Sequence, residues 1–470
     1  MKTNLHTAMK KFSLSLLANI INVTVSTLTG LLIPRLVGVT QFGYWQLYVF
    51  YITYILYFHF GWVDGIYLRN GGKDYSELDT RLLHSQFWLY CLFELFVSLS
   101  ILGASFALGK GDKRTVVMLA GVNCLVLLPR VYFQFLLQAS GRVRTYANNL
   151  VTERMICAFL TIVLLLFGHR TVKTLIFADL LAKGVALVMI LISCHDIVFS
   201  KGIGFKDNIK EAKENFHVGY KLTFATVSSM LLIGIIQLAV ERNWNIEMFG
   251  MVSFAMVTTQ SIVQFLNQIS VVLFPLLKRS ESNDYPVVFA QTGRLITFLS
   301  TSLLLLFYPL ELGLTALLPD YVMGISFLGL LIPVCLFEGR TTLMLGTFLK
   351  TLRKEKDMLI IDVIMILLSL GVTIVTVYIM KNLTAAVMSS VLLLALRCLL
   401  SDIVVQRNLG IRNYKELCLI SMTTILFWVC CCSIKGLKGW LLYVLYYVIL
   451  GAFRFKNYKV MFHLVHGERA

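Results

Sequence analysis

The residues of this sequence that could do chemistry are charged side chains set inside long apolar stretches. Guanidinium groups match phosphate oxygens in pairs and keep their charge, so such arginines predict an anionic ligand. Carboxyl groups in the same setting are candidates for proton or cation coupling, because a charge inside a membrane is costly without a function or a partner. The predicted ligand-binding arginines are Arg340, Arg130, Arg397, Arg35, Arg242 and Arg294, and the predicted coupling acids are Glu94, Glu338 and Glu311.

Arg340 is the predicted principal contact of the ligand. It lies about midway along an apolar stretch, where an unpaired guanidinium in lipid would cost at least ~3 kcal/mol. Glu338 is the nearest acid in the same stretch, but a separation of two residues places it on a different face of a helix. A carboxylate from another helix, such as Glu94, is the structural alternative to a ligand.

Other charges in these stretches have simpler explanations. Asp179 and Lys183 are four residues apart, which predicts a structural ion pair on one helix face. Arg35 and Arg242 lie at the ends of their stretches, where a long side chain can reach water and offset the helix dipole. Asp362 lies near a predicted cytoplasmic edge, where we expect it to be solvated.

The elements that must position these residues are transmembrane helices. Hydrophobic residues make up 58% of the 470-residue chain and charged residues 14%, whereas soluble domains carry about 25% charged residues. The apolar runs are continuous and about 20 residues long, as helices require, and do not alternate as barrel strands do. The predicted fold is therefore all-α, a polytopic membrane protein with about 14 transmembrane helices, or 12 as the alternative.

The loops predict how these helices are arranged. Lys and Arg concentrate in loops on one side, which places both termini in the cytoplasm, and this bias accounts for the net charge of +17 without nucleic acid. Six spans return the chain to its starting side, which predicts two six-helix lobes related by a pseudo-two-fold axis along the membrane normal. The predicted lobes are residues 1–200 and 215–410, with two additional helices and a cytoplasmic tail in residues 411–470. The connecting loop, about 195–217, has the Lys/Glu spacing of an amphipathic surface helix.

A short internal repeat supports the two-lobe arrangement. Three residues of the first helix pair recur 207 positions later in the same register, with Arg35, Phe42 and Gly43 matching Arg242, Phe249 and Gly250. Both copies lie between two long apolar runs, which indicates a duplicated helical unit.

The sequence offers no signature of an enzyme or of a cofactor. Residues 103–111 superficially suggest a phosphate-binding loop, but the spacing is one residue too long and no Ser or Thr follows Lys110. The chain has no Cys-x-x-Cys motif, so we expect neither a metal site nor a disulfide framework. A duplicated helical unit in a membrane protein is typical of a transporter built from two lobes. Since no ATPase signature is present, energy for transport is expected from an ion gradient, the membrane potential or the substrate gradient.

The start of the chain carries a loose motif. Its parts are Asn19, Asn22, Pro34-Arg35-Leu36-Val37-Gly38, Phe42-Gly43-Tyr44-Trp45 and Gly61-Trp62-Val63-Asp64-Gly65. In this motif and in its layout the chain resembles the Wzx-type polysaccharide-biosynthesis flippases of the multidrug/oligosaccharidyl-lipid/polysaccharide exporter superfamily. The resemblance covers about residues 1–410. Two further spans exceed the usual twelve of that type, and fourteen spans are similar to the lipid II flippases of the same superfamily.

This resemblance implies a function. A Wzx-type protein would move an undecaprenyl-pyrophosphate-linked oligosaccharide, the repeat unit of an O-antigen or capsule, across the bacterial cytoplasmic (inner) membrane. The sugar and pyrophosphate would pass through a central cationic cavity while the lobes rock between two states. The implied partners are the lipid-linked oligosaccharide, anionic membrane lipids and a coupling proton or sodium ion, with no nucleic acid.

Two other functions compete with this interpretation. A multidrug or cation antiporter of the same superfamily would typically carry an acid in its first span, and residues 12–34 contain no Asp or Glu. A membrane-embedded glycan polymerase would be expected to have a large outer loop with catalytic residues, and the predicted outer loops here are all short. The sequence therefore favours a transporter over an enzyme.

Overall fold

The computed structural model describes residues 24–25, 29–108, 110–279, 285–434 and 436–465, with residues 265–279, 355, 432–433 and 453–465 described by their backbone alone. Its regular elements within these ranges are all helices. Nine of the described helices are long and apolar enough to cross a membrane, and a bent pair brings the number to ten. The protein is therefore a multi-pass membrane protein, and the part of it that the structure describes is all helical. The count of fourteen spans stays a prediction, since the first span, about 12–33, lies mostly outside the described residues.

Contacts divide the chain into two compact units. Unit 1 comprises residues 1–230 with 246–250, and unit 2 comprises residues 231–245 with 251–470. The principal helices of unit 1 are α1 (Val39–Ile55), α2 (Trp62–Asn70), α3 (Thr80–Ser105), α4 (Asp112–Ala139), α5 (Val143–Leu166) and α6 (Val172–Ser193). Helices α7 (Phe205–Asn243) and α8 (Ile246–Arg279) each contribute residues to both units.

Unit 2 holds the remaining helices. They are α9 (Tyr285–Leu303), α10 (Phe307–Leu317), α11 (Val322–Leu331), α12 (Val334–Gly339), α13 (Gly346–Thr351), α14 (Glu355–Thr373), α15 (Leu383–Leu409), α16 (Lys415–Trp428) and α17 (Gly436–Val465).

Side-chain caps fix where several of these helices begin. Asp79 precedes α3 and accepts hydrogen bonds from the backbone N–H groups of Arg81 and Leu82. Thr171 and Asn382 cap α6 and α15 in the same way. Such caps satisfy backbone donors that have no partner within the first turn of a helix. These three helices therefore have defined starting points.

The core of unit 1 contains a group of aromatic side chains between α3 and α4. Phe87 packs on Phe133 with ring centroids 4.7 Å apart, and Tyr90 packs on Tyr132 at 5.7 Å. All four rings are buried. Aromatic packing of this kind fixes the register of two neighbouring helices.

Close glycine packing joins α2 to the first half of α7. A Cβ atom on Gly65 would clash with the backbone of Asn215, and one on Gly219 would clash with the backbone of Gly61. The Asp64 carboxylate also accepts a hydrogen bond from Thr223. The Gly61-Trp62-Val63-Asp64-Gly65 motif therefore has a packing role in unit 1, and residues 205–230 are held against α2.

The glycines of the proposed repeat pack against each other. A Cβ atom on Gly250 would lie 2.9 Å from the Cα atom of Gly43, and the Thr40 hydroxyl donates a 2.7 Å hydrogen bond to Glu247. Both pairs are 207 residues apart and belong to unit 1. The two glycines thus share one role, the close approach of α1 and α8.

The helices of unit 2 are broken in several places. Residues 319–331 and 334–351 form a pair bent by 43° at Pro333. Wider π-helical turns occupy Arg340–Leu345, Ile374–Ile379 and Val429–Ile434. Such turns insert a residue into the helical ladder and are frequent at functional sites. Pro129 and Pro275, by contrast, lie within helices that continue past them.

The terminal pair, α16 and α17, belongs to unit 2 and packs on its broken helices. The Trp440 indole N–H donates a 3.0 Å hydrogen bond to the carbonyl oxygen of Leu305, and Trp428 donates one of 3.1 Å to Leu330. Leu305 lies four residues before Pro309, which has no N–H to donate to that carbonyl. The terminal pair therefore satisfies backbone acceptors at the breaks in unit 2.

Candidate functional site

The first group of candidate residues is a buried ion pair in unit 1. Arg130 on α4 is 2% exposed and lies 2.8 Å from the Glu153 carboxylate on α5. Its Nε atom also donates a 2.9 Å hydrogen bond to Asn149, which in turn donates to the Ala186 carbonyl on α6. Arg130, a predicted ligand contact, therefore already has a carboxylate and an amide as partners and ties three helices together.

A second group in unit 1 surrounds Asp179 on α6. Lys183 lies 2.7 Å from the Asp179 carboxylate, which confirms the predicted ion pair between residues four apart. Tyr48 on α1 donates a 2.7 Å hydrogen bond to the same carboxylate oxygen, and Asn123 on α4 donates to both Tyr48 and Asp179. All four side chains are buried, so this polar network links three helices inside the unit.

Arg154 stands beside these two groups without a partner. It lies at the middle of α5 and is half-buried, and its guanidinium forms no hydrogen bond or ion pair with any residue that the structure describes. The carboxylates of Glu153 and Asp179 act on it electrostatically, but both are bonded to other cations. A membrane-embedded charge without a bonded partner is costly, so the position of Arg154 in the middle of α5 needs an explanation.

The cluster formed by these residues is positive overall. It holds three cations, Arg130, Arg154 and Lys183, and two carboxylates, Glu153 and Asp179. One positive charge is left uncompensated. We call these five residues the unit 1 cluster, and its chemistry suits an anion with phosphate-like oxygens.

Glu94 on α3 is a buried acid that has no cationic side chain as a partner among the described residues. It is 0% exposed, and the Cys124 thiol donates a weak 3.7 Å hydrogen bond to one of its carboxylate oxygens. The other oxygen is buried and accepts no hydrogen bond within the described part of the chain. A buried carboxyl group with no cationic partner among the described side chains is a candidate for binding a proton or a cation.

In unit 2, Arg340 has a partner that the sequence did not indicate. Its Nη2 atom lies 3.1 Å from the Asp402 carboxylate on α15, and both side chains are at most 1% exposed. The Nε and Nη1 atoms are buried without acceptors in the described residues, and the guanidinium packs on Gly293, where a Cβ atom would lie 3.2 Å from Nη1. Arg340 is therefore paired with Asp402 and only partly satisfied.

Arg397 in unit 2 is paired with two acids. Its Nε atom lies 2.9 Å from the Asp362 carboxylate on α14, and its Nη1 atom lies 3.6 Å from Glu338 on α12. The expectation that Asp362 is solvated is wrong, because this side chain is buried and bonded to Arg397. Together with Arg340 and Asp402 these residues make two cations and three carboxylates, so the charged cluster of unit 2 is negative overall.

The remaining predicted site residues lie nearer to the surface. Arg35 and Arg242 are exposed at helix ends, where they can reach headgroups or water. Arg294 is exposed on α9. Glu311 on α10 is half-buried and lines a cleft with Trp440. The described side chains include no group of three or more His, Cys, Asp or Glu placed to hold a metal ion.

Outside the spans, one connection near the end of α6 is tied down by polar contacts. The Tyr75 hydroxyl donates a 2.9 Å hydrogen bond to Asp196, and the Arg142 guanidinium lies 4.2 Å above the Tyr75 ring. Burial raises the pKa of Tyr75 well above its usual range and the pKa of the Cys194 thiol to about 11. Both groups therefore stay neutral at physiological pH and serve packing.

Comparison with known families decides what kind of protein holds these clusters. A family model described as polysaccharide biosynthesis protein matches residues 76–315, just over half of the chain. The chain belongs to this family. No curated protein matches it.

Solved structures similar to this family member show its fold. An inward-facing multidrug resistance MATE family transporter of the MOP superfamily is 14% identical, with a TM-score of 0.57 over 83% of this chain and 98% of that one. An outward-facing conformation of such a transporter is 13% identical, with a TM-score of 0.54 over 85% and 96%. A MOP superfamily transporter from Pyrococcus furiosus, whose binding pocket is described as having reverse polarity, is 12% identical, with a TM-score of 0.55 over 85% and 96%. At these identities the likeness establishes the fold.

Sequence reasoning about this polysaccharide biosynthesis family member missed Arg154 and Glu153. The signal was present, because two adjacent opposite charges in an apolar stretch cannot share one helix face. If one of these two side chains pairs with a charge on a neighbouring helix, the other points in a different direction. In the structure Glu153 turns to Arg130, and Arg154 is the residue left over.

Proposed function

We propose that this protein carries an undecaprenyl-pyrophosphate-linked oligosaccharide, a repeat unit of O-antigen or capsule, across the bacterial cytoplasmic membrane. The observation that carries the proposal is the unpaired guanidinium of Arg154 within a buried cluster of net positive charge. Membership of the polysaccharide biosynthesis protein family supports the glycan part of the substrate, and the MOP superfamily fold supports transport.

Arg154 is the first contact proposed for the pyrophosphate. A planar guanidinium can bind two phosphate oxygens at once, and it keeps its charge at any accessible pH. Lys183 adds a second positive charge in the same cluster, but it already pairs with Asp179. Arg130, Arg340 and Arg397 stay predicted contacts of lower rank, because each would have to leave a carboxylate in order to bind the ligand.

Glu94 is the acid proposed for ion coupling. It is buried, it has no cationic partner among the described side chains, and it belongs to the same unit as the unit 1 cluster. Uptake of a proton or sodium ion there would change the charge inside unit 1 by one unit. Glu338 and Glu311 stay predicted alternatives, and Glu338 is already bonded to Arg397.

The rest of the proposal follows from the family and the superfamily. The lipid tail would remain in the bilayer while the pyrophosphate and sugar cross, and two lobes would alternate between inward- and outward-open states. Both termini would lie in the cytoplasm. A multidrug or cation antiporter is the second candidate function, which the fold of the multidrug resistance relatives favours. The positive unit 1 cluster favours an anionic substrate instead.

The test uses cells that depend on this chain to display surface glycan. Arg154→Ala should lower display by about 10- to 100-fold, since a hydrogen-bonded charge contributes about 1.5–3 kcal/mol. Arg154→Lys should keep partial display, because charge remains while the planar fork is lost. Arg144→Ala is the matched control, an exposed arginine on the same helix, and should leave display unchanged. Normal display by an Arg154→Glu variant at wild-type protein level would contradict the proposal.

A further inference from the structure

The first half of α7 presents an exposed face that the proposed function does not use. On one side of this helix Asn208, Asn215, Gly219 and Thr223 are buried in unit 1. The other side is exposed, and the surface that matters here consists of Phe205, Lys206, Lys210, Lys213, Phe216 and Tyr220. We call these six residues the α7 face.

The buried side of α7 is fully engaged in polar contacts. Gln86 donates to both the side chain and the backbone carbonyl of Asn208, and Asn208 donates to the Ser85 carbonyl. Asn215 donates to Gln86 and accepts from Arg69. This side of the helix is therefore fixed, which leaves the α7 face turned outward.

The lysines of the α7 face have no acidic partners. Arg69 on α2 forms ion pairs with Glu211 and Glu214, two of the three acids in the first ten residues of α7. The third acid, Asp207, is exposed and forms no ion pair with a described residue. Lys206, Lys210 and Lys213 form no ion pair with any described residue. The predicted Glu/Lys pairing along this helix is thus replaced by pairing with Arg69, and the face is left basic.

Aromatic rings lie beside these lysines. Phe205 is 70% exposed, Phe216 46% and Tyr220 39%. Lys206, Lys213 and Tyr220 follow one another at intervals of seven residues, which places them in one row along the helix. Exposed aromatic rings next to basic side chains are typical of surfaces that lie at the boundary between headgroups and hydrocarbon.

The length of α7 places the face at this boundary. The helix has 39 residues, which is about 58 Å, whereas the hydrocarbon core is about 30 Å thick. Its first ten residues include three lysines and three acids, which do not enter hydrocarbon at low cost, whereas residues 222–240 carry no charge. The α7 face therefore lies where the charged part of the helix meets the membrane surface.

We propose that the α7 face binds the phosphate groups of anionic lipids in the adjacent leaflet. The three unpaired lysines provide charge complementarity to phosphate, and the aromatic rings insert among the upper acyl chains. Zwitterionic lipids offer the rings the same apolar contact but no net negative charge. Lipid binding by the α7 face does not depend on which substrate the protein transports.

The test compares phosphatidylglycerol with phosphatidylcholine on the full-length protein. Purified protein is delipidated, mixed with equal amounts of the two lipids, and the retained lipids are counted by native mass spectrometry. Each lysine near an anionic surface contributes about fivefold to affinity, so the triple variant Lys206→Gln, Lys210→Gln, Lys213→Gln should lower the preference for phosphatidylglycerol at least about tenfold. The matched control, Lys173→Gln with Lys381→Gln, removes exposed lysines elsewhere and should keep the wild-type preference.

Two results would overturn the inference. The first is equal phosphatidylglycerol preference in the wild type and in a folded triple variant. The second is loss of that preference when millimolar inorganic pyrophosphate is added, since this would assign the lysines to soluble phosphate groups. A triple variant with wild-type glycan display and a lost lipid preference would support the lipid surface while leaving the proposed transport intact.

Discussion

At the scale of single residues, the structure separates paired arginines from an unpaired one. Arg130, Arg340 and Arg397 each have a carboxylate within 3.1 Å, whereas Arg154 has none in the part of the chain that the structure describes. Removing the arginine should cost much more stability in a buried ion pair than at an unpaired charge. Removing one partner of a buried pair leaves an uncompensated charge, whereas removing an unpaired guanidinium leaves none.

This contrast predicts different effects on stability. Arg130→Ala should lower the free energy of unfolding by about 3–5 kcal/mol, because the Glu153 charge is left buried without its partner. Arg154→Ala should change it by less than about 1 kcal/mol while still impairing transport. Thermal unfolding of both purified variants in the same detergent would measure this. Equal destabilisation by the two substitutions would show that Arg154 is structural.

Glu94 gives a second prediction at this scale. Glu94→Gln keeps the shape of the side chain but cannot exchange a proton or bind a cation through a negative charge. We expect the variant to fold and to lose the response of transport to an imposed ion gradient. The measurement is the transport rate in vesicles with and without the gradient, with exposed Asp320→Asn as the control. An unchanged gradient response would remove Glu94 from the coupling mechanism.

Whether an ion pair could be predicted from the sequence depended on how far apart its two residues lie along the chain. The Asp179–Lys183 pair was predictable because both residues lie on one helix, four positions apart. Asp402 lies 62 residues after Arg340, and Asp362 lies 35 residues before Arg397, so only the packing of different helices could reveal these pairs. Without this tertiary information, the sequence showed no partner for Arg340 and predicted that Asp362 is solvated.

At the scale of helices, the terminal pair compensates for breaks in unit 2. Pro309 leaves the Leu305 carbonyl without its helical donor, and the Trp440 indole supplies one from α17. The Trp440 ring also stacks on Tyr308 with centroids 5.7 Å apart. A proline within an apolar stretch predicts a break in the helix, but it does not reveal which distant side chain will bond to the freed carbonyl.

A double-mutant cycle tests this compensation. Trp440→Phe keeps the aromatic ring but removes the donor, so it should cost about 1–3 kcal/mol in the wild-type chain, where a backbone carbonyl is left unsatisfied. In a Pro309→Ala background the restored backbone N–H can bond to Leu305, and the same substitution should cost about 1 kcal/mol less. Unfolding free energies of the four proteins give the coupling energy. If the effects of the two substitutions on the unfolding free energy were additive, the Trp440 indole would not be replacing the missing backbone donor to Leu305.

At the scale of the whole molecule, the composition of the chain predicted the class of fold well. Long apolar runs require helices in a membrane, because no water is present there to satisfy the backbone. The helices, the family and the MOP superfamily fold agree with that expectation. The breaks within spans were less predictable, since the turn at Arg340–Leu345 and the turn at Val429–Ile434 contain no proline.

The predicted orientation in the membrane has its own test. A cysteine placed at Phe199, which is 82% exposed, should react with a membrane-impermeant thiol reagent only after the cells are permeabilised. A cysteine at Lys381, in a predicted outer loop, should react in intact cells. Both are compared with the parent chain, whose own cysteines give the background. The reverse pattern would place both termini outside the cytoplasm and invert the topology.

The charge of the transported substrate is the property that separates a lipid-linked oligosaccharide flippase from a multidrug antiporter. In proteoliposomes of purified protein, the measurement is the transfer of an undecaprenyl-pyrophosphate-linked oligosaccharide between leaflets, beside the transport of a lipophilic cation. The positive unit 1 cluster predicts transfer of the anionic lipid, a large fall in Arg154→Ala, and no transport of the cation. Transport of the cation with no transfer of the lipid-linked oligosaccharide would contradict the proposed function.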